Sequence, residues 1–242
     1  MKQSFSALAL LVSLSATLLA ACDEGPIYGA AFDEPTESRA ATFRGTLLGA
    51  ERWTEGYDLV LAAFSADGEY ALVQKPVKPA ADGSVSLALS GIPSEAATVE
   101  LCVTDRLRRR IVSFESLELP SATGSDTLRL DLTEPMDVGM FASIQRYVFD
   151  GPAYNCSLCH SAEGARAGLD LSAGHSYAGL VGVASSRVEG AQRVVPGSSA
   201  ASVLHSAFAE GNPAGLRYDH SPLLPAPLRR LIDDWIDGGA KE

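Results

Sequence analysis

Thr98-Val99-Glu100-Leu101-Cys102-Val103-Thr104 is a β-branched, alternating run with no glycine or proline inside it, the pattern of a strand that buries at least one face. Six similar runs surround it, at residues 42–48, 57–65, 70–77, 84–89, 110–118 and 127–132. Asp67-Gly68, Asp82-Gly83, Gly91-Ile92-Pro93 and Gly124-Ser125 stand between them and supply the positive or fixed φ that turns need. Strands at this spacing predict an all-β, antiparallel sandwich of immunoglobulin or fibronectin type III style over residues 42–135. Cys102 then reads as a small buried apolar side chain rather than a reactive thiol. This half has no histidine and no catalytic set. Its cluster Arg106, Arg108, Arg109 and Arg110 predicts a solvated hairpin tip that guards a sheet edge, or a docking patch for an acidic or phosphate-bearing partner.

From Val138 the period becomes helical. Val138, Phe141, Ile144 and Val148 fall on one stripe, ending before Gly151-Pro152, and Leu228, Ile232, Trp235 and Ile236 make a second, stopped by Gly238-Gly239. Between them a Gly- and Ser-rich stretch predicts loops, a short helix at 177–181 and a firmer one from Ser198 or Ser199 through Phe208. The formal charge of -11 and pI near 4.8 exclude a nucleic-acid partner, since nothing here would neutralise a row of phosphates. The acidity lies before residue 138, and the half that follows is close to neutral.

Residues 1–21 pair Lys2 with an apolar run, the layout of a secretory signal and too short for a membrane span. Leu19-Ala20-Ala21-Cys22 resembles the lipobox of bacterial lipoproteins, which implies cleavage before Cys22 and lipid on its thiol. Lipid there would tether the protein to a membrane on the periplasmic side of the cell envelope, and Asp23 at the following position points to the inner one. Residues 22–41, rich in Asp, Glu, Pro, Gly and Ala, read as a flexible spacer.

Cys156-Ser157-Leu158-Cys159-His160 has the C-x-x-C-H spacing of covalent haem attachment: two thiols three residues apart reach two vinyl groups on one porphyrin edge, and the next imidazole meets the iron. A redox disulfide is the competing reading of the cysteine pair, but a helical stripe rather than a strand precedes it. A zinc site would need a second ligand pair that does not follow. The order of residues 144–149, Cys156 to His160, Gly168-Leu-Asp-Leu171, Val194-Val-Pro-Gly197, Ser202-Val-Leu204 and 231–236 with Gly239-Ala240 resembles the small mono-haem c-type cytochrome domains at the ends of bacterial exported proteins.

That resemblance implies an all-α cytochrome c-like domain over residues 138–242, one covalent haem c with thioethers at Cys156 and Cys159, and His160 as proximal iron ligand. The family usually places methionine as the distal ligand fifteen to twenty residues before the terminal tryptophan, and His220 stands there instead. His220 is the first candidate for the sixth position and His205 the second. Met136 and Met140 precede the motif and would have to reach back. Arg187 and Arg193 are candidates to pair with haem propionates.

The expected function is that of a membrane-anchored c-type cytochrome, an electron carrier rather than a catalyst, passing single electrons to a redox partner protein in the envelope. The alternatives are a haem peroxidase or gas sensor with a labile sixth ligand, and a haem-free surface-binding lipoprotein.

Overall fold

The computed structural model describes residues 39–120, 128–164 and 166–242. The expectations for the signal at 1–21, for lipid on Cys22, for nearly all of the 22–41 spacer and for the turn at Gly124-Ser125 lie outside these residues. In chain order the strands are β1 (Arg39–Leu48), β2 (Tyr57–Phe64), β3 (Val73–Pro76), β4 (Ser84–Ile92), β5 (Thr98–Asp105), β6 (Arg110–Glu118), β7 (Leu128–Asp131) and β8 (Met136–Asp137).

They form two four-stranded sheets, one ordered β4-β1-β7 with β8 also on β1, the other ordered β3-β2-β5-β6. The alternation seen in the sequence becomes the packing. Phe43 and Leu47 of β1 and Val85 and Leu89 of β4 meet Leu59 and Leu61 of β2 and Val99, Leu101 and Val103 of β5 in one core. The second sheet pairs antiparallel throughout. In the first, β1 runs parallel to both β7 and β8, so the sandwich is not purely antiparallel.

β2 and β5 are buried on both faces. Their outer face carries a second apolar cluster of Val60, Ala62, Phe64, Ala71 and Cys102. The segment after β2 folds back over it, held by Leu72 N donating to Ala63 O at 2.9 Å and Ala71 N donating to Arg108 O at 3.0 Å. Cys102 is fully buried there, and desolvation pushes its thiol above the ordinary range.

The helical half departs from the expectation. Its elements are α1 (Met140–Ile144), running into a π-turn at Gln145–Phe149, α2 (Ser176–Leu180), α3 (Val203–Phe208) and α4 (Ala226–Asp237). Only α4, with its uninterrupted stripe and Gly238 at its end, reaches 12 residues. The helix expected from Ser198 or Ser199 through Phe208 breaks at Ser202, which is extended at φ -96° and ψ 133°. Glycines with positive φ at 168, 174, 182, 190 and 197 turn the chain before any helix can lengthen.

Helices of five or six residues cannot close a bundle of their own, so the all-α cytochrome c-like domain is not formed. The two-domain fold class drawn from the sequence is corrected to one β-rich fold carrying a few short helices, although the N-terminal sandwich is present. The recognition of an exported lipoprotein ending in a mono-haem c-type cytochrome domain loses its structural support for the same reason.

Instead, the helices pack on the sandwich. β8 leaves β1 through Gly139 directly into α1, with Gly139 N donating to Asp137 Oδ1 at 2.8 Å. Trp53 Nε1 donates to Val138 O at 2.6 Å, Tyr57 OH donates to Asp234 Oδ2 at 2.7 Å, and Tyr147 OH donates to Ser113 O. Val138, Phe141, Ile144 and Val148, with Leu231, Ile232, Trp235 and Ile236, join the sandwich interior in one continuous core. Glu37–Glu242 is accordingly one compact unit.

Candidate functional site

The chain after the π-turn is shaped by Asn155. Its Oδ1 accepts from Leu158 N at 3.1 Å and from Ser157 Oγ at 2.9 Å, capping the single turn Cys156–Leu158. Cys159 N and His160 N both donate to Cys156 O, at 3.2 and 3.0 Å. The turn therefore brings two thiols and an imidazole into one short arc. Both thiols are free: Cys159 is exposed and Cys156 is half-buried. Burial, with Asp150 and Cys159 adding to it, pushes the Cys156 thiol up to about 11.

His160 Nδ1 lies 3.0 Å from Arg166 O. A carbonyl only accepts, so this nitrogen carries the proton and Nε2 keeps its lone pair. Partial burial lowers the pKa of His160, and neighbouring His220, Arg166 and Arg193 lower it further, against the Arg166 carbonyl, which raises it. The backbone behind is fixed by Leu171 N donating to His160 O at 2.7 Å.

His220 sits sixty residues further on in the chain, between Tyr218 and the turn before α4. Its Nδ1 lies 2.9 Å from Tyr218 O, which sets the same tautomer. The rings of His160 and His220 stand 6.2 Å apart at an interplanar angle of 34°. Tyr218 meets the His220 ring edge-on at 5.1 Å and Phe208 at 6.3 Å. Leu158 at 77%, Tyr218 at 61% and Leu223 at 41% are large apolar side chains left exposed on the segments that carry the two histidines.

The other candidates have other partners. His205 Nδ1 pairs with Asp233 Oδ1 at 2.8 Å, tying α3 to α4. Met140 is buried in the core, and Met136 is held in β8 on β1. Arg193 spends its guanidinium on backbone: Nη1 donates to Gly179 O at 2.7 Å, and Nη2 to Gly168 O at 2.8 Å and Ala167 O at 3.2 Å. It thus pins the loop that follows the C-x-x-C-H turn. Arg187 is exposed.

Gln145, not singled out in the sequence, links these parts. Its Nε2 donates to Leu171 O at 2.8 Å and Asp150 Oδ2 at 2.6 Å, while its Oε1 accepts from Ser176 Oγ. Beside Arg146 in the run 144–149, Gln145 carried no sequence signal of its own; the structure puts it at the π-turn, an irregularity of the kind found at functional positions.

Among the described residues no group of three or more His, Cys, Asp or Glu side chains is arranged to hold a metal ion, a second finding against the recognition of a c-type cytochrome domain. Comparison with protein families, with characterised proteins and with solved structures finds no match.

Whether a haem fits the residues present can be asked of the donor set. A porphyrin supplies four nitrogens itself and asks the protein for one or two axial ligands. The structure brings two imidazoles to a ring-centre separation of 6.2 Å, and ring nitrogens of this kind are donors that a haem takes. Each ring already holds its Nδ1 proton on a backbone carbonyl, the arrangement that fixes tautomer and orientation in metal-ligating histidines. The donor set fits.

Proposed function

We propose that this chain carries one covalently attached haem, which Cys156 and Cys159 would hold through thioethers and His160 and His220 through ring nitrogens, and that it moves single electrons from a β-rich scaffold of its own kind. The observation that carries the reading is the 6.2 Å approach of two imidazoles from opposite ends of a sixty-residue stretch, each with Nδ1 on a backbone carbonyl and Nε2 without a hydrogen-bond partner among the described residues. Bound there, the group would supply a one-electron couple, and two imidazoles rather than imidazole and thioether favour the ferric form and a low potential.

The chain's own residues do the rest. Asn155 and the Cys156 carbonyl set the attachment turn, while Arg193 and Gln145 hold the loops at 167–171. Leu158, Tyr218 and Leu223 offer apolar surface for a porphyrin to cover. With both histidines only partly buried, one edge of the group would stay accessible to a redox partner protein. Export and a lipid on Cys22 would place that exchange at the periplasmic side of the envelope, where covalent haem attachment takes place.

The test is an absorption spectrum of protein matured with a haem-attachment system, with a pyridine haemochrome assay. A c-type haemochrome and a six-coordinate low-spin spectrum are expected, and absence of bound haem would end the proposal. His220→Ala should convert the spectrum to high-spin. An unchanged spectrum would remove His220 from the site, and rapid CO binding by the unmodified ferrous protein would replace electron carriage with gas or peroxide chemistry at a labile sixth position.

A further inference from the structure

The β5–β6 hairpin ends in a three-residue tip, Arg106-Leu107-Arg108. Asp105 builds it: its Oδ1 accepts from Leu107 N and Arg109 N, both at 2.9 Å, and its carbonyl accepts from Arg108 N at 2.8 Å. The turn requires a left-handed residue at its last position, where glycine or asparagine is the usual choice. Here Arg108 takes it at φ 65°, at a conformational cost that glycine would avoid.

The four arginines of the cluster then divide. Arg109 Nε pairs with Glu69 at 3.3 Å, and Arg110 pairs with Glu100 at 2.6 Å while its guanidinium lies 4.7 Å from the centre of the Phe64 ring. Arg106 and Arg108 are exposed and have no ion-pair partner among the described residues. Between them Leu107 is 74% exposed, and Tyr70, bridged to Arg109 on the neighbouring segment, is 52% exposed.

We infer that this tip docks on an anionic lipid surface, with Leu107 and Tyr70 entering the headgroup layer and Arg106 and Arg108 meeting lipid phosphates. The chemistry is complementary: an apolar apex between two uncommitted cations is the arrangement that snorkelling arginines and interfacial leucine and tyrosine make at a bilayer. The chain as a whole carries a net charge of -11 even with these two arginines included, so the remainder would be repelled by such a surface and contact through the tip sets the orientation. An acidic protein partner would call for the same charges, whereas Leu107, 74% exposed between the two arginines, is suited to a headgroup layer. The inference is independent of haem binding and of lipid on Cys22, although an anchor would raise the local concentration of the tip at the membrane.

The test is co-sedimentation of the compact unit Glu37–Glu242, which closes its own core and omits the apolar leader and Cys22, with vesicles of neutral lipid or of about one-third anionic phospholipid. Preference for the anionic vesicles, weakening with salt, is expected. R106Q/R108Q should lower partition about twenty-five-fold, roughly fivefold per arginine, and L107S about tenfold. R108G controls for folding: it should raise the melting temperature by removing the left-handed arginine, yet still lose about fivefold in binding. Equal partition to both vesicles, or an R106Q/R108Q protein that binds unchanged, would overturn the inference. So would an L107S protein that binds unchanged, which would leave charge attraction alone and no entry of the tip into the headgroup layer.

Discussion

The bond from Tyr57 OH to Asp234 Oδ2 at 2.7 Å joins β2 to α4 across 177 residues, so it tests directly whether the sandwich and the terminal helix unfold together. Tyr57→Phe keeps the ring that packs 5.5 Å from Trp53 and removes only the hydroxyl. A hydrogen bond to a carboxylate contributes about 1.5–3 kcal/mol when sheltered. Both partners are only half-buried, so about 1–2 kcal/mol is the expected coupling in a double-mutant cycle with Asp234→Ala.

At this chain length the Tyr57→Phe loss corresponds to a fall of roughly 3–6 °C in melting temperature. The pH dependence has a definite sign. Burial, and then Asp234, raise the Tyr57 pKa far above its ordinary value, so the neutral phenol is the form the fold keeps. That stability is complete below about pH 10, the pKa in the unfolded chain, and drains away as pH rises beyond it. Tyr57→Phe should flatten this alkaline limb. Urea unfolding followed by tryptophan fluorescence and far-UV circular dichroism at pH 7 and above 10 measures both effects. Coupling indistinguishable from zero, or two separate transitions of which only one responds, would refute the claim that helices and sandwich share one core.

Trp235, 2% exposed and 5.0 Å from the Phe141 ring, should cost about 3–5 kcal/mol as Trp235→Ala, read as a fall in urea midpoint. A Cβ at Gly238 would collide with Thr54 Cγ2, so Gly238→Ala should destabilise by about 1–3 kcal/mol, and adding Thr54→Ser, which deletes that methyl, should restore most of the loss in the same assay. In reduced, haem-free protein, alkylation followed by mass spectrometry should find exposed Cys159 modified first, then Cys156, whose burial holds the thiol up to about 11, and Cys102 only on unfolding. Equal rates at these three cysteines of the described residues would contradict the burial described.

The strands were legible because each is a local pattern. A period of two at Ala41, Phe43 and Leu47, or at Val99, Leu101 and Val103, needs no distant partner to be read, and all seven expected strands have counterparts in the two sheets. The stripe of Leu228, Ile232, Trp235 and Ile236 with its glycine stop announced α4 in the same way. What misled was the step from stripe to domain. A stripe says that a face is buried but not against what: α1 and α4 meet each other, with the Phe141 and Trp235 rings 5.0 Å apart, and both join the core of the sandwich instead of closing a separate helical domain.

The C-x-x-C-H run is fixed by sequence alone, because its chemistry resides in five consecutive side chains. The approach of His220 to His160 is tertiary. The loops between them follow positive-φ glycines, Arg193 bonded to three carbonyls and Gln145 bonded across to Leu171, and contacts between residues so far apart leave no period in the chain. Spacing from Trp235 could nominate His220, whereas only the folded loops bring its ring to 6.2 Å from His160.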